Sequence, residues 1–187
     1  MGLVVDLGCG RWPRPDATVR VDFNDYPHVD VKHDLLKVPY PFDDNSAEKI
    51  YLWDVAEHIP IFEVVRVFYQ CYKILQPGGM LDITVPDVEW IAERIIKKDW
   101  KEKAKEPWMN RFKTPFECAM SYLFGGFYHP SEHKHPGMGH VAGYDEQTLI
   151  SSLSNLMLPD MAIIKWGSIK RVPDPRNECI LRIQAVK

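Results

Sequence analysis

Leu3-Val4-Val5-Asp6-Leu7-Gly8-Cys9-Gly10 decides how this chain folds. An apolar run ends in an acid, and two glycines follow at alternate positions. That pattern reads as a buried β-strand running into a tight turn. Glycine reaches φ > 0 and lets a ligand approach the backbone closely. A turn of this kind at the carboxyl end of a parallel strand is where open α/β sheets take nucleotide-like cofactors.

A dinucleotide fingerprint has the form Gly-x-Gly-x-x-Gly and opens a helix, with an acid about 20 residues on. Here Gly8-Cys9-Gly10 continues as Arg11-Trp12-Pro13, so the third glycine is missing. Pro13 and Pro15 follow at once, and helices accept proline only in the first turn. The next strand-ending acid, Asp22 in Thr18-Val19-Arg20-Val21-Asp22, comes too early. No Gly-Lys-Ser/Thr phosphate loop occurs. A pyrophosphate-binding turn is therefore poorly supported.

Asp6-Leu7-Gly8-Cys9-Gly10 instead resembles the first motif, Asp-x-Gly-x-Gly, of the class I S-adenosylmethionine-dependent methyltransferases. Later segments agree with that family in order and spacing. Asp22 would close the second strand and accept hydrogen bonds from both ribose hydroxyls. His33-Asp34-Leu35 falls where the family meets the adenine. Lys49-Ile50-Tyr51-Leu52-Trp53 looks like the fourth strand, Leu75-Gln76-Pro77-Gly78-Gly79-Met80-Leu81 like the turn into the fifth, and Val85-Pro86-Asp87 like its end. The resemblance is close over residues 3–95 and looser beyond. It implies an α/β fold: a Rossmann-like seven-stranded sheet, mostly parallel, with an antiparallel C-terminal strand pair. It also implies cofactor contacts at Asp6, Gly8, Cys9, Gly10, Asp22, Phe23, Asp34, Leu35 and Trp53. S-adenosylmethionine would be the methyl donor and S-adenosylhomocysteine the product.

One departure stands out. Only about ten residues separate the first two strands, whereas a parallel crossover usually takes a dozen or more, normally with a helix. The family's first helix must be lost or reduced to a turn, with Arg11-Trp12-Pro13-Arg14-Pro15 in its place. A subgroup of compact methyltransferases looks similar here. The cofactor's methionine end would then be more open, or covered by Trp12 or another segment.

The 187 residues suit one domain, and a 45% hydrophobic content can fill a core. A net charge of −3 gives no global field for nucleic acid or membrane. Cys9, Cys71, Cys118 and Cys179 are scattered, which argues against a zinc ribbon or disulfide frame and for a reducing compartment. No secretory leader or membrane-spanning run is visible, and the chain starts directly in its first strand. A cytoplasmic location is expected.

Along the chain, Val29-Asp30-Val31-Lys32 reads as a short strand and residues 39–45 as a loop. Ile61, Val64, Val65, Phe68, Tyr72 and Leu75 recur at helical spacing. Asp87 suits the N-cap of a helix through Trp90, Ile91, Ile95 and Ile96. Residues 97–113 are rich in lysine and read either as a solvated helix face or as a patch for an anion. Residues 107–143 fit neither period and are expected to form a lid or acceptor insert within the single domain. Glu146 to Leu158 reads as a helix, with Leu149, Leu153, Leu156 and Met157 inward. Ala162–Trp166 and Cys179–Gln184 read as the final strand pair, joined at Pro173-Asp174-Pro175.

Methyl transfer is an in-line displacement, so the protein must position the acceptor and take its proton. In this fold the end of strand four faces the methyl, and Asp54, Glu57 and His58 lie there. If a helical turn begins at Asp54, Asp54 and Glu57 share a face and His58 stacks above Asp54. In one reading His58 is a general base oriented by a carboxylate. In another, the group binds a divalent metal with a downstream histidine; small-RNA 2′-O-methyltransferases and some quinone-precursor O-methyltransferases show a similar acid-x-x-Glu-His pattern with metal. In a third, Glu-His only caps a helix. His129, His133, His135 and His140 form a second group. His140, before Val141-Ala142-Gly143-Tyr144, resembles a histidine that compact and metal-dependent members place ahead of their penultimate helix, and it is the residue selected from this loop. Trp12 and Trp53 either stack on the cofactor or pack, and Tyr122, Phe124, Phe127 and Tyr128 are candidates for lining an acceptor pocket.

The expected activity is methyl transfer to O or N of a small-molecule or glycan-like acceptor, with His58, Glu57, Asp54 and His140 as catalytic candidates. The rivals are an RNA-directed methyltransferase, whose binding would weaken steeply with salt, and a non-catalytic cofactor-binding subunit with an exposed apolar patch. No membrane partner is expected, nucleic acid is the weaker alternative to a small acceptor, and the sequence leaves the assembly open, with a homodimer as one candidate.

Overall fold

The computed structural model describes residues 2–98, 114–125, 139–154, 164–176 and 178–187. β1 (Leu3–Leu7) is flanked on one side by β2 (Val19–Asp22) and then β3 (Val31–Lys32). On its other side β4 (Ala47–Trp53), β5 (Leu75–Pro86), β7 (Ile180–Val186) and β6 (Ser168–Val172) follow in that order. All neighbours pair in parallel except β7, which runs antiparallel to both β5 and β6. The seven-stranded, mostly parallel sheet with an antiparallel end is the one expected from the sequence.

Register separates the two faces chemically. Val5 opposes Ile50, Ile50 opposes Leu81, and Leu81 opposes Ala185, all buried on one side. α1 (Ile61–Ile74) and α4 (Glu146–Ser154) join that core through Val64, Val67, Phe68, Cys71, Leu149 and Leu153. One pleat along, Asp6 opposes Tyr51, Tyr51 opposes Asp82, and Asp82 opposes Gln184. Side chains of this second face satisfy one another. The Asp82 carboxylate, 0% exposed, accepts from Arg182 Nε (2.9 Å) and Nη2 (2.6 Å), Gln184 Nε2 (3.1 Å) and Trp53 Nε1 (3.2 Å). Tyr51 donates its hydroxyl to Asp16 at 2.6 Å.

The first crossover is as short as expected: residues 8–18 connect β1 to β2 without a helix. α2 (Val88–Lys97) begins at the expected cap, Asp87, whose carboxylate accepts from the Trp90 N–H at 3.1 Å.

Three expectations are corrected. The third strand is only Val31–Lys32, without Val29 and Asp30. Part of the 107–143 insert is a regular helix, α3 (Pro115–Phe124), packed on α2 around Ile91 and Ala119. The penultimate strand is Ser168–Val172; of the expected 162–166, residues 164–166 are irregular chain and 162–163 lie outside the described residues. Ile164 and Trp166 are apolar because they pack as irregular chain against the helical layer: Trp166 Nε1 donates to the Leu153 carbonyl at 3.0 Å, and its ring meets Tyr72 edge to face. Helix α4 is described to Ser154, so the readings of Leu156, Met157 and Leu158 lie outside the described residues. Among the described residues no helix is long and apolar enough to cross a membrane.

Removing one partner of a buried, fully hydrogen-bonded ion pair leaves the other charge uncompensated. Asp82→Ala is expected to lower unfolding free energy by roughly 3–5 kcal/mol, read from urea denaturation midpoints.

Candidate functional site

The turn after β1 is held from β2. Gly8 and Cys9 both donate to the Val21 carbonyl, at 2.8 and 3.1 Å. Gly8 and Gly10 have φ of 71° and 56°, the left-handed region that favours glycine. A Cβ on Gly8 would also lie 2.6 Å from Val55 Cγ2, so the turn depends on the segment after β4 as well. Gly10 N–H donates to Asp22 Oδ2 at 2.9 Å, while Asn24 donates to Oδ1 from its backbone (2.8 Å) and its side chain (3.1 Å). A carboxylate offers about four acceptor positions, so one stays open on Asp22. A second ribose hydroxyl requires the Asn24 amide to turn away. Burial raises the Cys9 thiol to about 12, and its Sγ points to the Gly10 carbonyl, so Cys9 contributes backbone rather than thiolate chemistry.

Asp6 is buried, and its Oδ2 accepts the Arg14 backbone N–H at 2.7 Å, pulling the crossover back over β1. Burial raises its carboxyl above the ordinary range. Phe23 is exposed beside Asp22. Asp34 caps its own turn by accepting the Leu36 N–H at 3.0 Å, and the Leu35 carbonyl accepts the Tyr40 hydroxyl at 2.8 Å. Trp53 lies on the polar sheet face, with the guanidinium carbons of Arg14, Arg176 and Arg182 at 4.5, 4.7 and 5.0 Å from its ring centre. Trp12 is 75% exposed.

At the end of β4 the helical turn begins at Ala56, not at Asp54. Asp54 instead adopts φ 55°, a conformation that costs a non-glycine residue energy and persists where neighbours enforce it. They do so here. Asp54 N–H donates to the Thr84 carbonyl (2.9 Å) and hydroxyl (3.1 Å), Thr84 Oγ1 donates to Asp54 Oδ1 (3.0 Å), and Arg176 Nη1 donates to Asp54 Oδ2 (2.5 Å).

Glu57, His58 and His140 come together. The Glu57 carbonyl accepts N–H groups from Val141 (2.8 Å) and Ala142 (3.1 Å), drawing residue 140 to the end of β4. The two imidazoles meet edge to face with centres 4.9 Å apart. One potential ligand atom from each of the three side chains lies within 4.8 Å of the others. His58 Nδ1 lies 3.2 Å from the Gly139 carbonyl. A carbonyl only accepts, so that bond puts the proton on Nδ1 and makes Nε2 the acceptor nitrogen of the ring. Burial, then the neighbouring His58, pushes His140 down to about 4, so it is neutral at pH 7. Burial, then the Asp54 charge, pushes the Glu57 carboxyl well above the usual range, and its Oε2 has no hydrogen-bond partner.

Three residues that sequence reasoning passed over shape this site. His28 Nε2 bonds the Gly10 carbonyl at 2.7 Å, Asn24 occupies Asp22, and Gly125 makes room for His140. Gly125 was legible: it is the left-handed cap of α3, whose Thr114-Pro115-Phe116-Glu117 start is a capping box with proline at the first turn. His129, His133, His135, Phe127 and Tyr128 lie outside the described residues, as do residues 99–113 of the lysine-rich stretch. Tyr122 is half-buried and Phe124 exposed.

No family model matches the chain, and no curated protein does. Solved structures do. A Thermotoga maritima protein described as an S-adenosylmethionine-dependent methyltransferase and possible histamine N-methyltransferase superposes with a TM-score of 0.58 at 14% identity, over 100% of this chain and 83% of that one. The 1,6-didemethyltoxoflavin N1-methyltransferase of Burkholderia thailandensis, solved with S-adenosylhomocysteine, gives 0.54 at 14% identity, over 99% and 70%. An S-adenosylmethionine-dependent methyltransferase of Mesorhizobium loti gives 0.52 at 15% identity, over 99% and 90%. The chain has the class I S-adenosylmethionine-dependent methyltransferase fold.

Two variants test the cluster. A Cβ on Gly125 would sit 2.4 Å from His140 Cδ2 and 2.8 Å from its backbone nitrogen, at φ 66°. Gly125→Ala is therefore expected to separate the two imidazoles, seen as loss of the His58–His140 cross-peak in NMR. The fold favours the protonated form of Glu57, so that contribution to stability is complete below the unfolded value of 4.5 and is lost as pH rises through the higher folded value. Glu57→Gln is expected to raise the melting temperature at pH 8 and to leave it unchanged at pH 4, measured by scanning calorimetry.

Proposed function

We propose that this protein transfers a methyl group from S-adenosylmethionine to an oxygen or nitrogen of a small-molecule or glycan-like acceptor. The observation that supports the reading best is the meeting of His58 and His140 beside Glu57, at the strand end that faces the transferable methyl in this fold. The residues present suit the cofactor. Asp22 keeps an acceptor position for a ribose hydroxyl, and Gly8 and Gly10 take left-handed φ with no Cβ of their own in the turn. When bound, the cofactor supplies an electrophilic methyl on a cationic sulfur.

The chain's own residues then handle the acceptor. His58 Nε2 takes the acceptor proton while the Gly139 carbonyl holds Nδ1–H. His140 is neutral at pH 7 and so does not repel the imidazolium formed on His58. Asp54, fixed by Thr84 and Arg176, adds negative charge on the same side. The buried free thiols Cys9, Cys71 and Cys179 suit a reducing, cytoplasmic setting, and we include that location in the proposal.

A second reading is favoured by the unpartnered, buried Glu57 Oε2. Glu57, His58 and His140 would together hold a divalent metal, which would supply Lewis acidity toward an acceptor oxygen.

Titration calorimetry with S-adenosylmethionine and S-adenosylhomocysteine tests the cofactor, and the absence of heat with both would sink the reading. His58→Ala is expected to keep cofactor affinity and to reduce turnover about 10²–10⁴-fold on any acceptor found by screening. Equal turnover in the variant would leave His58 a structural residue. A chelator that abolishes turnover without changing cofactor affinity would favour the metal reading.

A further inference from the structure

Three guanidinium groups converge on the Trp53 ring, and they are not equivalent. Arg182 spends Nε and Nη2 on the buried Asp82 carboxylate. Arg176 bridges Asp54 and Asp174. Arg14 donates only to the Trp12 carbonyl, at 2.8 Å, and among the described residues no carboxylate lies within ion-pair distance of it. It is nonetheless held in place. Its backbone N–H is fixed to the buried Asp6, its φ-restricted neighbours are Pro13 and Pro15, and its charge rests over Trp53 at 4.5 Å. A pre-positioned cation with four unused N–H donors is a site for a planar anion.

The sheet order says which anion. β2, β1 and β4 are consecutive neighbours. Asp22 ends β2, the Gly8–Gly10 turn follows β1, and Trp53 ends β4 with Arg14 over it. Asp22 and Trp53 are thus two strand spacings apart, about 10 Å. A ligand whose ribose meets Asp22 and which crosses the glycine turn presents its far end to Arg14. In S-adenosylmethionine and S-adenosylhomocysteine that far end is an amino acid with a carboxylate. We propose that Arg14, supplied by the short crossover that stands where a first helix would be, binds the α-carboxylate of the cofactor. This rests on the cofactor reading above and assigns a residue that neither the glycine motif nor the ribose acid specifies.

The test compares two ligands that share the adenosine thioether and differ in the amino acid. S-adenosylhomocysteine has the carboxylate, and 5′-methylthioadenosine lacks it. Arg14→Ala is expected to weaken S-adenosylhomocysteine binding roughly ten- to hundredfold, the range for a charged hydrogen bond, and to leave 5′-methylthioadenosine within twofold. Arg14→Lys, which keeps the charge without the fork, is expected to fall between. Unchanged S-adenosylhomocysteine affinity in both variants would overturn the assignment. So would an equal loss for both ligands, which would make Arg14 a structural support of the adenosine end. A wild-type protein that binds neither ligand would remove the cofactor reading itself, and the role of Arg14 with it.

Discussion

The 2.7 Å hydrogen bond from the Arg14 backbone to the buried Asp6 carboxylate is the contact on which the helix-less crossover after β1 depends. A crossover between adjacent parallel strands normally satisfies its backbone inside a helix. Here residues 8–18 must do so by other means. Gly8 and Cys9 donate to Val21, Gly10 to Asp22, Arg14 to Asp6, Ala17 to Arg14, and Thr18 to Val4. Each donor finds an acceptor on β1, β2 or the loop itself, so a buried turn survives without helical hydrogen bonds. The two acids that look like cofactor ligands in the sequence therefore do a second job. They close the loop between β1 and β2.

The same economy explains the sheet's polar face. An apolar face needs a covering layer, and α1 and α4 provide it. The opposite face is built from Asp6, Tyr51, Trp53, Asp82, Arg182 and Gln184: Trp53, Arg182 and Gln184 all bond Asp82, while Tyr51 bonds Asp16 and Asp6 the Arg14 backbone. Such a network contributes little net stability over an apolar core, but its members cannot shift singly without leaving a charge unpaired. Rigidity at Trp53 follows, and with it a fixed seat for the arginines above the ring.

Much of this was legible in the sequence because it rests on local rules. The Asp6–Gly10 turn, the Asp87 cap and the helical spacing from Ile61 onward all concern backbone conformations that a few residues determine. The errors have physical causes too. Ile164 and Trp166 are apolar because they pack against helices, and apolar content alone cannot separate that from a strand. Ser168–Val172, an edge strand, alternates weakly and hides in the sequence. The capping box at Thr114 was readable, but it lay in a stretch whose aromatics and glycines suggested irregular chain. Trp53 read either as a stacking platform or as packing, and only the long-range register reveals the arginines from residues 14, 176 and 182 around its ring.

The end of β4 shows why long-range pairing matters for local electrostatics. Asp54 is held in a left-handed conformation by Thr84 of β5 and by Arg176 of the β6–β7 turn. Arg176 also reaches Asp174 and lies over Trp53, the residue before Asp54. One guanidinium therefore joins the end of β4, the closing hairpin and the polar face. Displacing the hairpin would free the Asp54 carboxylate to act on Glu57, whose carboxyl already feels its charge. The antiparallel strand pair, far from the glycine turn in sequence, thus sets the electrostatic environment of the Glu57, His58 and His140 cluster.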